Sequence, residues 1–129
     1  MTTPASGSPK SPVASQTGLI MVVDDEEEFR INFFRALAGT EFRAVGVACV
    51  AEALDTIKKS HPRVILLDWS LPGGINGFSL LKALKGTPAT RHIPVIMTSG
   101  LPRTDSEKRD MLKVGAEGFF SKFDLMHPR

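Results

Sequence analysis

Apolar residues in this chain gather into short unbroken runs, separated by longer segments of helical period. The strongest runs are Leu19-Ile-Met-Val-Val23, Val64-Ile-Leu-Leu67 and Ile93-Pro-Val-Ile-Met-Thr98; weaker ones cover residues 42–47 and 118–121. Runs this short, partly β-branched and apolar at nearly every position, predict strands buried on both faces. Between them, Phe29, Phe33 and Leu37 recur at helical spacing, which predicts a helix over residues 25–38 ended by Gly39. A second helix is predicted over residues 51–59, with Ala53, Leu54 and Ile57 inward and His61-Pro62 as its stop. A third, over residues 78–85, is entered through the Gly-rich loop 72–77. A fourth runs from Thr104 to about Val114; Thr104 and Glu107 have the spacing of a capping box, and Gly115 closes the helix. Strand and helix alternate throughout. The pattern therefore predicts an α/β fold, a doubly wound five-stranded parallel sheet with helices on both faces, because each parallel link needs a crossover.

Residues 1–17 break this pattern. They are Ser, Thr, Pro, Gly and Ala with Lys10 as their single charge, too little apolar surface to offset the entropy of ordering. A disordered Ser/Pro-rich tail over 1–17 and one folded domain over 18–129 are expected. The whole chain is 42% hydrophobic and 23% charged, ordinary for a globular domain. Its net charge is +2 and its basic runs stop at the pairs Lys58-Lys59 and Lys108-Arg109, which argues against direct nucleic-acid binding. The single cysteine, Cys49, can form neither an internal disulfide nor a Cys-rich zinc site, and reads as a small, partly buried residue. No stretch approaches the ~20 apolar residues of a membrane span, and the N-terminus lacks a secretion-signal core. A cytoplasmic protein with no membrane role is expected.

Polar residues stand just past the apolar runs. Asp24 and Asp25 follow Val23, Asp68 follows Leu67, Ser99 follows Thr98, and Lys122 follows Ser121. In open α/β sheets ligands bind beyond the carboxyl ends of the strands, so these side chains belong to one edge. Adjacent carboxylates in a loop reach a hard cation, and Mg²⁺ takes one or two carboxylates together with waters and phosphate oxygens. Asp68 closes the most apolar strand, where a carboxylate is costly unless a cation compensates it. Aspartate is also a nucleophile for phosphoryl groups, giving an acyl phosphate. Ser99, or Thr98 beside it, offers a hydroxyl to a phosphoryl oxygen. Lys122 offers a cation that reaches such an oxygen or pairs with Asp68. Each residue alone has a plainer reading: Asp25 and Glu26-Glu27-Glu28 as the acidic start of a helix, Asp68 as a loop cap, Ser99 as a common strand-end residue, Lys122 as a solvated charge. Together they point to a site for a divalent cation and a phosphoryl group.

Through Val-Val-Asp24-Asp25, Val-Ile-Leu-Leu-Asp68-Trp-Ser-Leu-Pro72, Asn76-Gly77-Phe78, Ile-Pro94-Val-Ile-Met-Thr-Ser99-Gly100 and Gly115-Ala-Glu-Gly-Phe119-Phe-Ser-Lys122, the chain resembles a CheY-like response-regulator receiver domain of two-component signal transduction, over about residues 18–123. The resemblance implies a flavodoxin-like sheet of order 2-1-3-4-5. It implies that Asp68 is the phosphoacceptor and that Asp24, Asp25 and Asp68, with the backbone carbonyl of Ser70, bind Mg²⁺. It places Lys122 against the phosphoryl group. Counted from Pro94, the switch hydroxyl falls on Ser99 rather than Thr98, and Phe119 takes the aromatic switch position. Ser70 and Leu101 take the two positions that tune the lifetime of the phosphoryl group. Leu101 is apolar and cannot orient an attacking water, so autodephosphorylation is expected to be slow. The implied partners are a histidine kinase or phosphotransfer protein as donor, and a downstream protein target or fused output domain. No enzyme activity is expected beyond Mg²⁺-dependent self-phosphorylation and slow loss of phosphate.

The chain departs from the family pattern in places. Phe123 follows Lys122 where proline is usual, so the loop holding Lys122 is expected to be looser. Gly77 comes one residue later after Asp68 than is usual, and Gly73-Gly74 are expected to absorb the addition at positive φ. The sequence stops at Arg129, so the fifth helix is expected to be short or missing. Either the chain is a fragment, or a partner or second copy covers that sheet face as a homodimer. Two other functions compete. A receiver-fold docking module that needs no phosphorylation fits Phe123 and the short C-terminus. A haloacid-dehalogenase-like phosphatase would carry its Asp nucleophile after the first strand in a DxD pattern, which Asp24-Asp25-Glu26 lacks.

Overall fold

In the computed structural model, which describes residues 18–73 and 76–126, the apolar runs are strands and the periodic segments are helices. The expected tail over residues 1–17 lies outside the described residues. The strands are β1 (Leu19–Val23), β2 (Arg43–Val47), β3 (Val64–Asp68), β4 (Val95–Ser99) and β5 (Gly118–Ser121). The helices are α1 (Glu27–Leu37), α2 (Val50–Ser60), α3 (Gly77–Gly86), α4 (Asp105–Val114) and the five-residue α5 (Lys122–Met126). Every neighbouring pair of strands is parallel, in the order β2-β1-β3-β4-β5. This is the expected flavodoxin-like arrangement with a short fifth helix.

Strand alternation sorts the core into two layers. Met21, Val23, Ile65, Leu67, Val95 and Met97 are fully buried on one face, in one cluster with Ala53 and Ile57 of α2, Leu81 and Leu84 of α3 and Met111 of α4. On the other face Val22 and Leu66 pack with Phe29 of α1, flanked by the half-buried Ile20, Phe33 and Ile96. Leu54 does not point inward as expected. It is 42% exposed, because Ala53 and Ile57, one turn apart, hold the middle of the α2 stripe and Leu54 falls to its side. β4 also begins later than the apolar run beginning at Ile93. The Ile93 amide donates to Thr90 O in a turn, and Pro94 has no amide to give, although its carbonyl accepts from Ile65.

The loop after β3 shows how the chain brings a helix against the strand end. Gly73 has φ +84°, as expected of a residue that absorbs an insertion; Gly74 lies outside the described residues. Asn76 caps α3 by accepting from the Ser79 amide at 2.8 Å. The Gly77 amide then donates to Trp69 O at 2.7 Å. This approach is so close that a Cβ on Gly77 would sit 1.9 Å from the carbonyl oxygen of Asp68. A side chain there must push the end of β3 away from α3. Gly77→Ala is expected to cost roughly 2–3 kcal/mol in denaturant unfolding. Gly86→Ala, where a Cβ meets nothing within 4 Å, is expected to be neutral or slightly stabilising. Equal effects of the two substitutions would contradict this account of the loop.

Candidate functional site

The register of the sheet assembles the site. Asp24 directly follows β1, Asp68 ends β3, Ser99 ends β4 and Lys122 directly follows β5. Asp68 is level with Thr98, and Ser99 with Ser121, so the polar residues arrive at one height along the carboxyl edge. A pocket of about 310 Å³ opens there, lined among others by Asp25, Asp68, Ser70, Ser99, Leu101 and Lys122. Thr98 is buried and does not line it, which separates the two hydroxyls that the sequence leaves side by side.

Lys122 is the hub. Its Nζ lies 2.8 Å from Asp24 Oδ2, 2.6 Å from Glu26 Oε1 and 3.2 Å from Asp68 Oδ2. The residue is only 9% exposed. The loose placement expected from Phe123 is therefore not observed: β5 pairing delivers the lysine, and carboxylates fix its ammonium. Burial by itself would lower the lysine's pKa, but hydrogen bonds to Asp24 and Glu26 and the charges of Asp24 and Asp68 hold it above its ordinary value.

The carboxylates carry the opposite strain. Burial raises Asp68 to about 6 and the neighbouring Asp24 charge adds to this, while Lys122 and the Ser70 amide pull it back only in part. Asp24 is also raised, again mainly by burial, with Lys122 and the Glu26 amide opposing. Asp24 Oδ1 accepts from the Glu26 amide at 2.9 Å, while its buried Oδ2 meets Lys122 as an ion pair without hydrogen-bond geometry. Carboxylate oxygens of Asp24, Asp25 and Asp68 lie within 4.8 Å of one another, with Asp25 exposed. A hard oxygen donor set with a buried, underused oxygen and an exposed third carboxylate suits a hydrated divalent cation.

Glu26 and Arg103 were not among the site residues expected from the sequence. Glu26 sits at the N-cap position of α1 without capping it by its side chain, and reaches Lys122 instead. Its signal was present as the third acid of Asp24-Asp25-Glu26. Arg103 Nε donates to Ser99 Oγ at 3.2 Å. Nothing in the sequence marks Arg103, since its contact depends on how the loop after β4 folds. Phe119 is half-buried against the core, with Lys108 Nζ 5.3 Å from its ring centroid.

The sheet order and the acidic cluster define a signalling module of flavodoxin-like fold. A family model of the response regulator receiver domain matches residues 20–125, and the chain belongs to that family. It is 34% identical over 103 residues to the phosphate regulon transcriptional regulatory protein PhoB of Escherichia coli (strain K12), covering 80% of this chain and 44% of that one. The chain thus spans less than half the length of this regulator. It is 33% identical over 107 residues to the polar-differentiation response regulator DivK of Brucella ovis, covering 82% of this chain and 85% of that one. Among solved structures, the N-terminal domain of a response regulator receiver protein from Methanoculleus marisnigri JR1 superposes with TM-score 0.74 at 26% identity, covering 86% of this chain and 97% of that one. The BeF3-activated N-terminal receiver domain of Klebsiella pneumoniae RstA superposes with TM-score 0.71 at 25% identity, covering 81% and 85%. Receiver domains are in general non-enzymatic signalling modules that bind Mg²⁺ through an acidic cluster and interact with histidine kinases and output domains. Among the described residues, no helix is long and apolar enough to cross a membrane.

Because the folded Asp68 binds its proton more tightly than the unfolded chain does, its ionised form costs stability. The cost is full above about pH 6 and fades as pH falls towards the ordinary 3.8. In metal-free buffer at pH 8, Asp68→Asn is expected to melt about 4 °C or more above the wild type, with the gap closing as pH falls through 6. Mg²⁺ is expected to raise the wild-type melting temperature and to do much less for the variant. A gap that calorimetry finds independent of pH would count against burial as the cause.

Proposed function

We propose that residues 18–129 act in the cytoplasm as a phosphoacceptor receiver, taking a phosphoryl group on Asp68 from a histidine kinase or phosphotransfer protein. The altered α4–β5 face then reports to a downstream protein or a fused output domain. The observation that carries this reading is the convergence of the Asp68 carboxylate, the Lys122 ammonium and the Ser99 hydroxyl on one open pocket beside a carboxylate cluster.

Phosphoryl transfer asks for positioning and for neutralisation of charge more than for covalent chemistry. Asp24, Asp25 and Asp68, with the Ser70 carbonyl, would hold Mg²⁺, which when bound supplies charge neutralisation for phosphate oxygens. Asp68 Oδ attacks the phosphorus, the bond to the donor's leaving group breaks, and an acyl phosphate remains. Lys122 leaves its carboxylate partners to meet the new dianion. Ser99 turns its hydroxyl to a phosphoryl oxygen, and the space it vacates lets Phe119 rearrange. A local change of charge thus biases a two-state element.

Incubation with Mg²⁺ and a small acyl phosphate is expected to add one phosphoryl group to the intact protein, read by mass spectrometry. Asp68→Asn is expected to abolish the adduct. An unmodified wild-type mass would refute the reading and favour a docking module; steady turnover of the donor would favour a phosphatase. Leu101 is 68% exposed at the pocket mouth and has no polar group to hold a water, so the adduct is expected to last minutes to hours. Leu101→Glu is expected to shorten that lifetime about tenfold or more, in line with one added general base. An unchanged decay would show that this position does not set the lifetime.

A further inference from the structure

Ser99 has a full set of partners, and all of them lie away from Asp68. Its Oγ donates to Leu101 O at 2.8 Å and accepts from the Leu101 amide at 3.1 Å and from Arg103 Nε at 3.2 Å. A hydroxyl has one proton and two lone pairs, so this one has no proton left for a phosphoryl oxygen. Arg103 is itself held from other sides. Its guanidinium lies 4.6 Å from the ring centroid of Trp69, and its NH1 lies 3.4 Å from Glu107 Oε2. Glu107 is fixed in turn by the capping box, donating its amide to Thr104 Oγ1 and accepting the Thr104 amide. Trp69 directly follows Asp68 and stacks on Phe78 of α3 with centroids 5.8 Å apart and planes 8° from parallel. Arg103 is only 15% exposed in its side chain, yet it does not line the acceptor pocket. It stands behind Ser99.

We propose that Arg103 is a positioning residue that latches the Ser99 hydroxyl away from Asp68, using Trp69 and Glu107 as its anchors. The inference rests on the phosphoacceptor reading and adds to it a residue that sets how readily the switch turns. The latched arrangement is one of two states, and Ser99 must leave it to meet a phosphoryl group. Removing the guanidinium raises the share of chains whose hydroxyl is free to turn, and uptake speeds up in proportion to that share. Arginine suits the role because its planar guanidinium stacks on an aromatic ring while its Nε–H points along the plane at a separate acceptor; an ammonium cannot do both in the same way.

The experiment measures the rate of phosphoryl uptake by the full chain from acetyl phosphate with Mg²⁺, followed by intact mass. Arg103→Met is expected to speed uptake about fivefold, the effect of losing one charge-assisted hydrogen bond at a partly exposed site. Arg103→Lys is expected to speed it less, and serves if the Met variant does not fold. In a Ser99→Ala background, either substitution is expected to change the rate less than about twofold, since the group it acts on is gone. The sole tryptophan adds a second readout. Emission from Trp69 is expected to change when wild-type protein is phosphorylated, as the guanidinium leaves the ring, and to change far less in Arg103→Met. Unchanged or slower uptake in the Arg103 variants, or equal acceleration with and without Ser99, would overturn the latch. A wild type that takes up no phosphoryl group would instead bring down the phosphoacceptor reading, and the latch with it.

Discussion

One buried ammonium makes the acidic edge of this sheet tenable. Lys122 Nζ touches Asp24, Glu26 and Asp68 from 2.6 to 3.2 Å. Carboxylates buried this deeply without a nearby cation would cost several kcal/mol each, or protonate. The lysine prevents that only in part. One positive charge faces Asp24, Glu26 and Asp68 directly, with Asp25 close by, and Asp68 still rests near 6. The site is therefore short of positive charge as it stands. That shortage is the physical basis for expecting a divalent cation here: added charge relieves a cost already present, so cation binding and fold stability are linked.

Holding the ammonium in place is a task for the whole sheet rather than for its loop. Lys122 follows β5, whose Ser121 is in register with Ser99, while Trp69 just past β3 donates its amide to Thr98 O at 2.8 Å. These ladders tie the strand ends together, so that Asp68 and Lys122 meet although they come from distant parts of the chain. Gly77 completes the frame by letting α3 begin against the carbonyl of Asp68. This explains why Phe123, in place of the family's proline, does not free the lysine. The loop residue influences the exit of the chain, but the position of Lys122 is set upstream by backbone pairing and locally by its carboxylate partners.

Much of this was readable along the chain because the strands are continuous apolar runs and the polar residues stand at their ends. Sheet order, the cluster of Asp24, Asp25 and Asp68, and the inward lysine follow from that periodicity together with the family's motifs. The capping box of α4 was legible too, since Thr104 and Glu107 are neighbours in sequence. What periodicity does not encode is which of several adjacent polar groups finds a distant partner. Glu26 looks the same as Glu27 and Glu28 until β5 brings Lys122 alongside it. Leu54 looks as apolar as Ile57, and only the angle between α2 and the sheet turns it outward. Arg103 is an ordinary loop cation until the fold lays it over Trp69.

The same loop suggests how an event at Asp68 could be felt at a distance. From Ser99 a continuous set of contacts runs through Arg103 to Glu107 in the first turn of α4, and the next residue, Lys108, lies over the ring of Phe119 on β5. Contiguity alone is no evidence of coupling, because packed side chains touch everywhere in a folded domain. Coupling needs an element that can satisfy its partners in two mutually exclusive ways. The Ser99 hydroxyl is such an element: its single proton serves either Leu101 O or an oxygen at the acceptor, never both. Arg103 gains its importance from that exclusivity. It adds a charge-assisted bond to one side of a choice that the hydroxyl must make, and so sets the free energy that a phosphoryl group has to overcome before the far face of α4 and β5 can respond.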